Sequence, residues 1–273
     1  MTNKKYFFMA GLPRSGNTLI SCILNQNPKI KVSANSLVSE IFYNLEVLKN
    51  NNIYQNFPDE KSLENVISNI FDSYYRHWEC EYIIDRSVWG TPDNLFLLQK
   101  YLKNDIKIIS PVRDLLHVIS SMYDQQNDIL NNIINSWSSS GWRMPCDKTL
   151  EEVKCEILME KDSMIEKSLL SVKNLSSKQN KKFTKFIEYD DLVENTEKEI
   201  KKIYEFLDIE YYNHDYTNLK QYEVNGIKYN DYVVGQKNNM HYIKSQITKS
   251  KTDLKKFNQK IISRYSNLEC WRE

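Results

Sequence analysis

The stretch from Lys5 to Ile20 constrains the chain most. An apolar run of strand length, Tyr6 to Ala10, ends at Gly11, and a short loop closes at Gly16. Leu19, Ile20, Ile23 and Leu24 then recur at helical spacing. Strand, glycine-bracketed loop and helix N-terminus together make a cradle for an oxyanion, because loop amides point inward and the helix end adds positive potential. Gly11, Gly16 and Thr18 keep the spacing of the phosphate-loop pattern G-x-x-x-x-G-K-[ST]. Asn17, however, stands in place of the Lys, and Arg14 lies inside the loop. Backbone amides would bind the anion, with Arg14 and the hydroxyls of Ser15 and Thr18 as further donors. A nucleoside triphosphatase needs that Lys on the phosphates and a hydroxyl on Mg²⁺. Asp85 and Asp114, the acidic residues at later strand ends, each sit beside an arginine. The loop therefore suits a 5′-phosphate with one further anionic group and no metal.

The rest of the chain alternates strands and helices. Expected strands are Glu81–Arg86, Ile106–Asp114 and Lys182–Tyr189, with Lys29–Ser33 a short strand or extended link. Expected helices are Ser36–Lys49, Ser62–Trp78, Asn94–Leu102, Leu115 to about Tyr123, Thr196–Leu207 and one after Asp253. This order predicts an α/β fold with a mainly parallel sheet. In such sheets ligands sit beyond the carboxyl ends of the strands, which is where the 11–18 loop, Asp85-Arg86 and Arg113-Asp114 fall. Three strand ends that each carry an arginine point to one anionic site. The stretch 124–182 reads as a helical insertion or cap, and 210–273 is rich in Tyr, Asn and Lys with little period. One domain over 1–273 is expected.

Thirty-seven Lys and Arg against 36 Asp and Glu give a formal charge of +1. No global field marks the chain for nucleic acid or an anionic membrane. Five cysteines without a CxxC pair argue against a disulfide framework or zinc site. No apolar run approaches the roughly 18–20 residues of a membrane span, and no signal-peptide pattern is seen, so a cytoplasmic protein is expected. His77, His214 and His241 stand singly and are expected at the surface or in satisfied positions.

The motifs together resemble those of the sulfotransferase superfamily, especially its tyrosylprotein-sulfotransferase-like and bacterial branch. Pro13 to Thr18 is similar to that family's 5′-phosphosulfate loop, P-R-S-G-[TN]-T. Val112-Arg113-Asp114 followed by Ser121 resembles its second signature, a strand ending in Arg-Asp with a Ser eight residues after the Arg. The resemblance implies a three-layer P-loop-like fold and 3′-phosphoadenosine 5′-phosphosulfate (PAPS) as sulfuryl donor. Pro13, Arg14, Ser15, Gly16, Asn17 and Thr18 would hold the 5′ end, and Arg113 and Ser121 the 3′-phosphate. Ile187 to Val193 looks like the family's Y-E-x-L segment, which places Tyr189 by the adenine. The tail from His241 through Lys244 to Ser250 loosely resembles a closing segment, with Lys244 a cofactor contact. The implied reaction is in-line sulfuryl transfer to a hydroxyl or amine on a small molecule, glycan or peptide.

Arg86 occupies the place of a Lys that the tyrosyl-protein branch has at a strand end, and is the candidate for stabilising the leaving phosphate. That branch carries its base and a substrate-binding Arg where this chain reads Ala34-Asn35-Ser36-Leu37, which argues against its known substrates. Glu40, the nearest carboxylate, and His117 are the alternatives for the base. Two other readings stay open: a kinase using ATP and Mg²⁺, and a nucleotide-binding module that has lost its base.

Overall fold

The computed structural model describes residues 4–102, 105–234 and 241–272. In chain order the elements are β1 (Lys5–Met9), α1 (Asn17–Leu24), β2 (Ile30–Val32), α2 (Val38–Val47), α3 (Asn52–Asn56), α4 (Glu60–Ser68), α5 (Ile70–Tyr74) and β3 (Tyr82–Arg86). Then come α6 (Pro92–Tyr101), β4 (Ile108–Val112), α7 (Leu115–Ser139), α8 (Leu150–Leu158) and α9 (Met164–Ser176). The chain continues with β5 (Thr184–Glu188), α10 (Tyr189–Glu194), α11 (Thr196–Leu207) and α12 (Gln259–Tyr265). The expected closing segment, 210–273, includes residues 235–240 and 273, which lie outside the described residues.

The five strands pair in parallel in the order β2-β3-β1-β4-β5. Successive side chains of a strand point to opposite faces, and β1 shows what each face buries. Tyr6, Phe8 and Ala10 pack with Phe42, Phe71, Leu98 and Trp89 under α2 and α4–α6. Phe7 and Met9 pack with Ile20, Ile23, Ile203 and Leu207 of α1 and α11. Helices on both faces of an all-parallel sheet make the expected three-layer α/β architecture. From the central β1 the chain first builds β2 and β3 on one side and then crosses over β1 to build β4 and β5 on the other, so the direction of winding reverses between β1 and β4. That is a switch point, where a crevice opens at the carboxyl ends.

Three expectations shift. The helix expected over Ser62–Trp78 breaks at Asn69, whose side-chain amide donates to the Asn65 carbonyl at 2.8 Å; such local bonds compete with the helix ladder. The strand expected to reach Tyr189 ends at Glu188, and Tyr189 opens α10. The helix after β4 does not stop near Tyr123 but runs unbroken to Ser139, since no Gly or Pro intervenes before Gly141. α7 and the helices after it are integral to the body. Leu116, Ile119, Cys155, Leu158, Leu169 and Val172 form one buried cluster with Ile261, Tyr265 and Trp271. Among the described residues no helix is long and apolar enough to cross a membrane.

Candidate active site

The loop after β1 is held by its own side chains and by the end of β4. Gly11 passes so close to β4 that a Cβ there would stand 2.3 Å from the Pro111 carbonyl oxygen. The Leu12 N–H donates to that same carbonyl at 2.9 Å. Gly16 caps α1 at φ 90° with no side chain to cap it, which leaves the first-turn N–H groups of the helix for a ligand. A Cβ at Gly16 would also meet the Leu192 side chain at 2.7 Å. Arg14 adopts φ 60°, a left-handed conformation that costs a non-glycine residue roughly 1–2 kcal/mol. Strain of that kind, held by surrounding structure, is characteristic of functional loops.

Two of the expected anion donors are turned inward. The Ser15 hydroxyl is fully buried and directed at the carbonyls of Leu12 and Pro111. Its side chain is therefore structural, a correction to its expected role as a hydroxyl donor; only its backbone remains for the anion. Asn17 donates through its amide to the Leu12 carbonyl at 2.6 Å and to the Ser15 hydroxyl at 3.3 Å. It braces the loop from where a phosphate-loop Lys would reach outward.

A cavity of about 350 Å³ lies at the switch point, with Pro13, Arg14, Gly16, Asn17 and Thr18 on its floor. Arg86 enters from the end of β3, Arg113 from the end of β4, Tyr189 from α10, and Lys244 and Ser250 from the C-terminal segment. Four cationic side chains line it, and among the described lining residues there is no carboxylate. Arg14 and Arg113 each have their pKa lowered, by burial first; for Arg14 the neighbouring Arg113 charge adds to it. Two mutually repelling guanidiniums withdrawn from water favour a bound anion.

The guanidinium of Arg113 lies 4.1 Å from the centre of the Tyr189 ring. It donates to the Arg14 carbonyl at 3.2 Å and to the Ser250 hydroxyl at 3.1 Å. Ser121 does not line the cavity; its hydroxyl accepts from Arg14 Nε at 3.1 Å, keeping its own proton to donate. Lys244 lines the wall with its Nζ 3.4 Å from the Thr248 hydroxyl. Tyr189 faces Arg113 and donates to Ser250 at 3.1 Å.

Neither expected base reaches the cavity. Glu40 is exposed on α2, and His117 binds Thr252 through Nδ1 outside the lining. The helix positions are responsible: Glu40 lies on the solvent side of α2, whose Val38 and Phe42 are buried, and His117 is in the first turn of α7, where its N–H donates to the capping Asp114.

The closing segment supplies contacts beyond the Lys244 that the resemblance singles out. Arg86 donates from Nη1 to the Tyr229 hydroxyl at 2.7 Å, and Tyr229 stacks flat on His241. Ser250 bridges Arg113 and Tyr189. All three come from the aperiodic tail, where no spacing marks them. Asp85 at the end of β3 is fully buried, accepting from Ser36 at 2.7 Å, from Trp89 at 2.8 Å and from Tyr75. It is a structural carboxylate.

A family model described as the sulfotransferase domain matches residues 4–267. Among solved structures the chain is similar to the sulfotransferase domain from the curacin biosynthetic pathway, at 17% identity over 77% of this chain and 75% of that one, with a TM-score of 0.48. It is also similar to the sulfotransferase domain from the Synechococcus PCC 7002 olefin synthase, at 15% identity over 77% and 76%, with a TM-score of 0.46. No curated protein matches the chain.

Proposed function

We propose, since the chain belongs to the sulfotransferase domain family and is a sulfuryl-transfer enzyme, that its donor is PAPS and that the cavity at the switch point is where the donor binds. One observation carries this reading: Arg14, Arg86, Arg113 and Lys244 line a single cavity without a carboxylate among the described lining residues. A nucleotide bearing phosphate at both ends of its ribose matches such a donor set, because charge-assisted bonds need several separated cations.

The amides of the 13–18 loop and Arg14 would hold the 5′ end. Arg113 would hold the 3′-phosphate, Ser121 would steady Arg14 from outside the cavity, and Tyr189 would sit against the adenine. Lys244 would add charge from the tail. Arg86, fixed by Tyr229, is placed to stabilise charge that grows on the departing phosphate oxygen, an interaction stronger in the transition state than before it. The ATP–Mg²⁺ reading has less to support it, since Asp85 is engaged by three protein donors and Asn17 braces the loop. The acceptor is a hydroxyl or amine on a small molecule, glycan or peptide. We read residues 1–273 as one domain. A reducing, cytoplasmic setting suits its five unpaired thiols.

The test combines titration calorimetry with 3′-phosphoadenosine 5′-phosphate and incubation of PAPS with a panel of phenols, alcohols and amines. Saturable nucleotide binding and acceptor-dependent release of the bisphosphate are expected. No binding at high micromolar nucleotide would overturn the donor assignment. Tight binding with no turnover on any acceptor would favour an inactive module.

A further inference from the structure

We propose that His241, oriented by Asp231, is the general base that takes the acceptor's proton. The proposal rests on the sulfuryl-transfer reading above and supplies the group that Glu40 and His117 do not. His241 lines the same cavity as Arg14 and Arg86. The other titratable side chains among the described lining residues are Arg14, Arg86, Arg113, Lys244, Tyr189 and Tyr242. Arginine, lysine and tyrosine as residue types offer no ready proton acceptor at neutral pH. His241 alone has a neutral form that can accept a proton there.

The imidazole is held on several sides. Its Nδ1 donates to Asp231 Oδ1 at 2.6 Å, and the His241 backbone N–H donates to Asp231 Oδ2 at 3.2 Å. Asp231 is 7% exposed, so one buried carboxylate fixes both ring and backbone. The ring lies parallel to that of Tyr229, with centroids 3.7 Å apart, and Tyr229 is anchored by Arg86. With Nδ1 committed to Asp231 as donor, Nε2 carries the lone pair. Among the described residues none hydrogen-bonds Nε2.

The charges around it set its working form. Burial lowers the His241 pKa from its ordinary 6.5, the charges of Arg86 and Arg14 lower it further, and Asp231 opposes them. The net shift is downward, which favours the neutral, proton-accepting imidazole. In the step itself the acceptor oxygen bonds to the sulfuryl sulfur as the hydroxyl proton passes to His241 Nε2. The bond from sulfur to the 5′-phosphate oxygen breaks, and its electron pair goes to that oxygen beside Arg14 and Arg86. Asp231 stabilises the imidazolium so formed, as an orienting carboxylate does.

The experiment measures His241→Gln, His241→Ala and Asp231→Asn beside the wild type. The readouts are bisphosphate binding by calorimetry, and kcat and KM with PAPS against phenol and 4-nitrophenol over a pH series. With phenol, the His241 variants are expected to lose roughly 10²- to 10⁴-fold in kcat while keeping nucleotide affinity within a few-fold. With 4-nitrophenol, already ionised at mildly alkaline pH, the loss should nearly vanish, because no proton needs removing. The wild-type rate should rise with pH through the His241 titration and then level. That acid limb should be absent in His241→Gln, and added imidazole should restore part of the rate of His241→Ala. Asp231→Asn, which alters positioning, should lower kcat and move the limb to lower pH. Equal losses with both phenols, or a retained acid limb in His241→Gln, overturn the base assignment alone. A wild type that transfers sulfate to no acceptor overturns the transfer reading and this inference with it.

Discussion

Arg113 shows how one side chain joins four parts of the chain. Its guanidinium rests on Tyr189, reaches the Arg14 carbonyl and meets Ser250, so β4, the β1–α1 loop, α10 and the tail meet at one cation. Removing it takes away a charged hydrogen-bonding partner, typically worth about 1.5–3 kcal/mol. Arg113→Ala is therefore expected to weaken bisphosphate binding by roughly 10- to 150-fold, measured by calorimetry. Tyr189→Phe removes only the hydroxyl contact with Ser250 and should weaken binding by less than about tenfold. Glu40 supplies the contrast. Exposed on α2 and outside the cavity, it should be replaceable by Gln with turnover and nucleotide affinity unchanged. A large kcat loss in Glu40→Gln would return it to candidacy.

The β1–loop–α1 unit works because its two glycines answer different demands. Gly11 must have no side chain for β1 to approach Pro111, and Gly16 must turn at positive φ beneath Leu192. Gly16→Ala meets both a left-handed backbone and a 2.7 Å contact with the end of a flexible leucine side chain. It should fold with roughly 1–2 kcal/mol lost and bind nucleotide more weakly, as thermal unfolding with and without ligand would show. Gly11→Ala meets backbone carbonyl at 2.3 Å, which cannot yield in the same way, and should be the more destabilising. Equal effects of the two would contradict this account of the loop. The unit was legible in sequence because strand, glycine spacing and helical period are all local. The inward turn of Ser15 was not, because it depends on a Pro111 carbonyl nearly a hundred residues away.

At the scale of the whole molecule, the tail is tied to the α1–α11 layer through a buried histidine. His214 is 6% exposed, its Nε2 lies 3.0 Å from the Tyr204 hydroxyl, and that hydroxyl accepts from Asn27 at 3.1 Å. Burial lowers its pKa from 6.5 to about 4. The unfolded chain therefore binds this proton at higher pH than the folded one. The stability His214 confers is complete above about pH 6.5 and is lost as pH falls towards about 4, amounting to at most about 3 kcal/mol. Denaturant titrations across that range should show His214→Gln with a shallower acid loss than the wild type. An unchanged slope would show that His214 ionises equally in both states.

The sequence by itself determined the α/β class, the glycine-bracketed loop after β1, and the convergence of Arg14, Arg86 and Arg113 on one cavity. These follow from periodicity, glycine placement and the rule that strand ends converge, all of which are written in short windows. Tertiary structure decided the remainder. Only the packing of α2 and α7 removed Glu40 and His117 from the cavity. Only the path of the tail set Asp231, Tyr229 and His241 against Arg86, across more than 140 residues. Such residues carry no period because the segment forms little regular structure, and its position is fixed by contacts with distant side chains. Asn17, which stands where the phosphate-loop pattern has Lys, is a brace whose partners are the Leu12 carbonyl and the Ser15 hydroxyl.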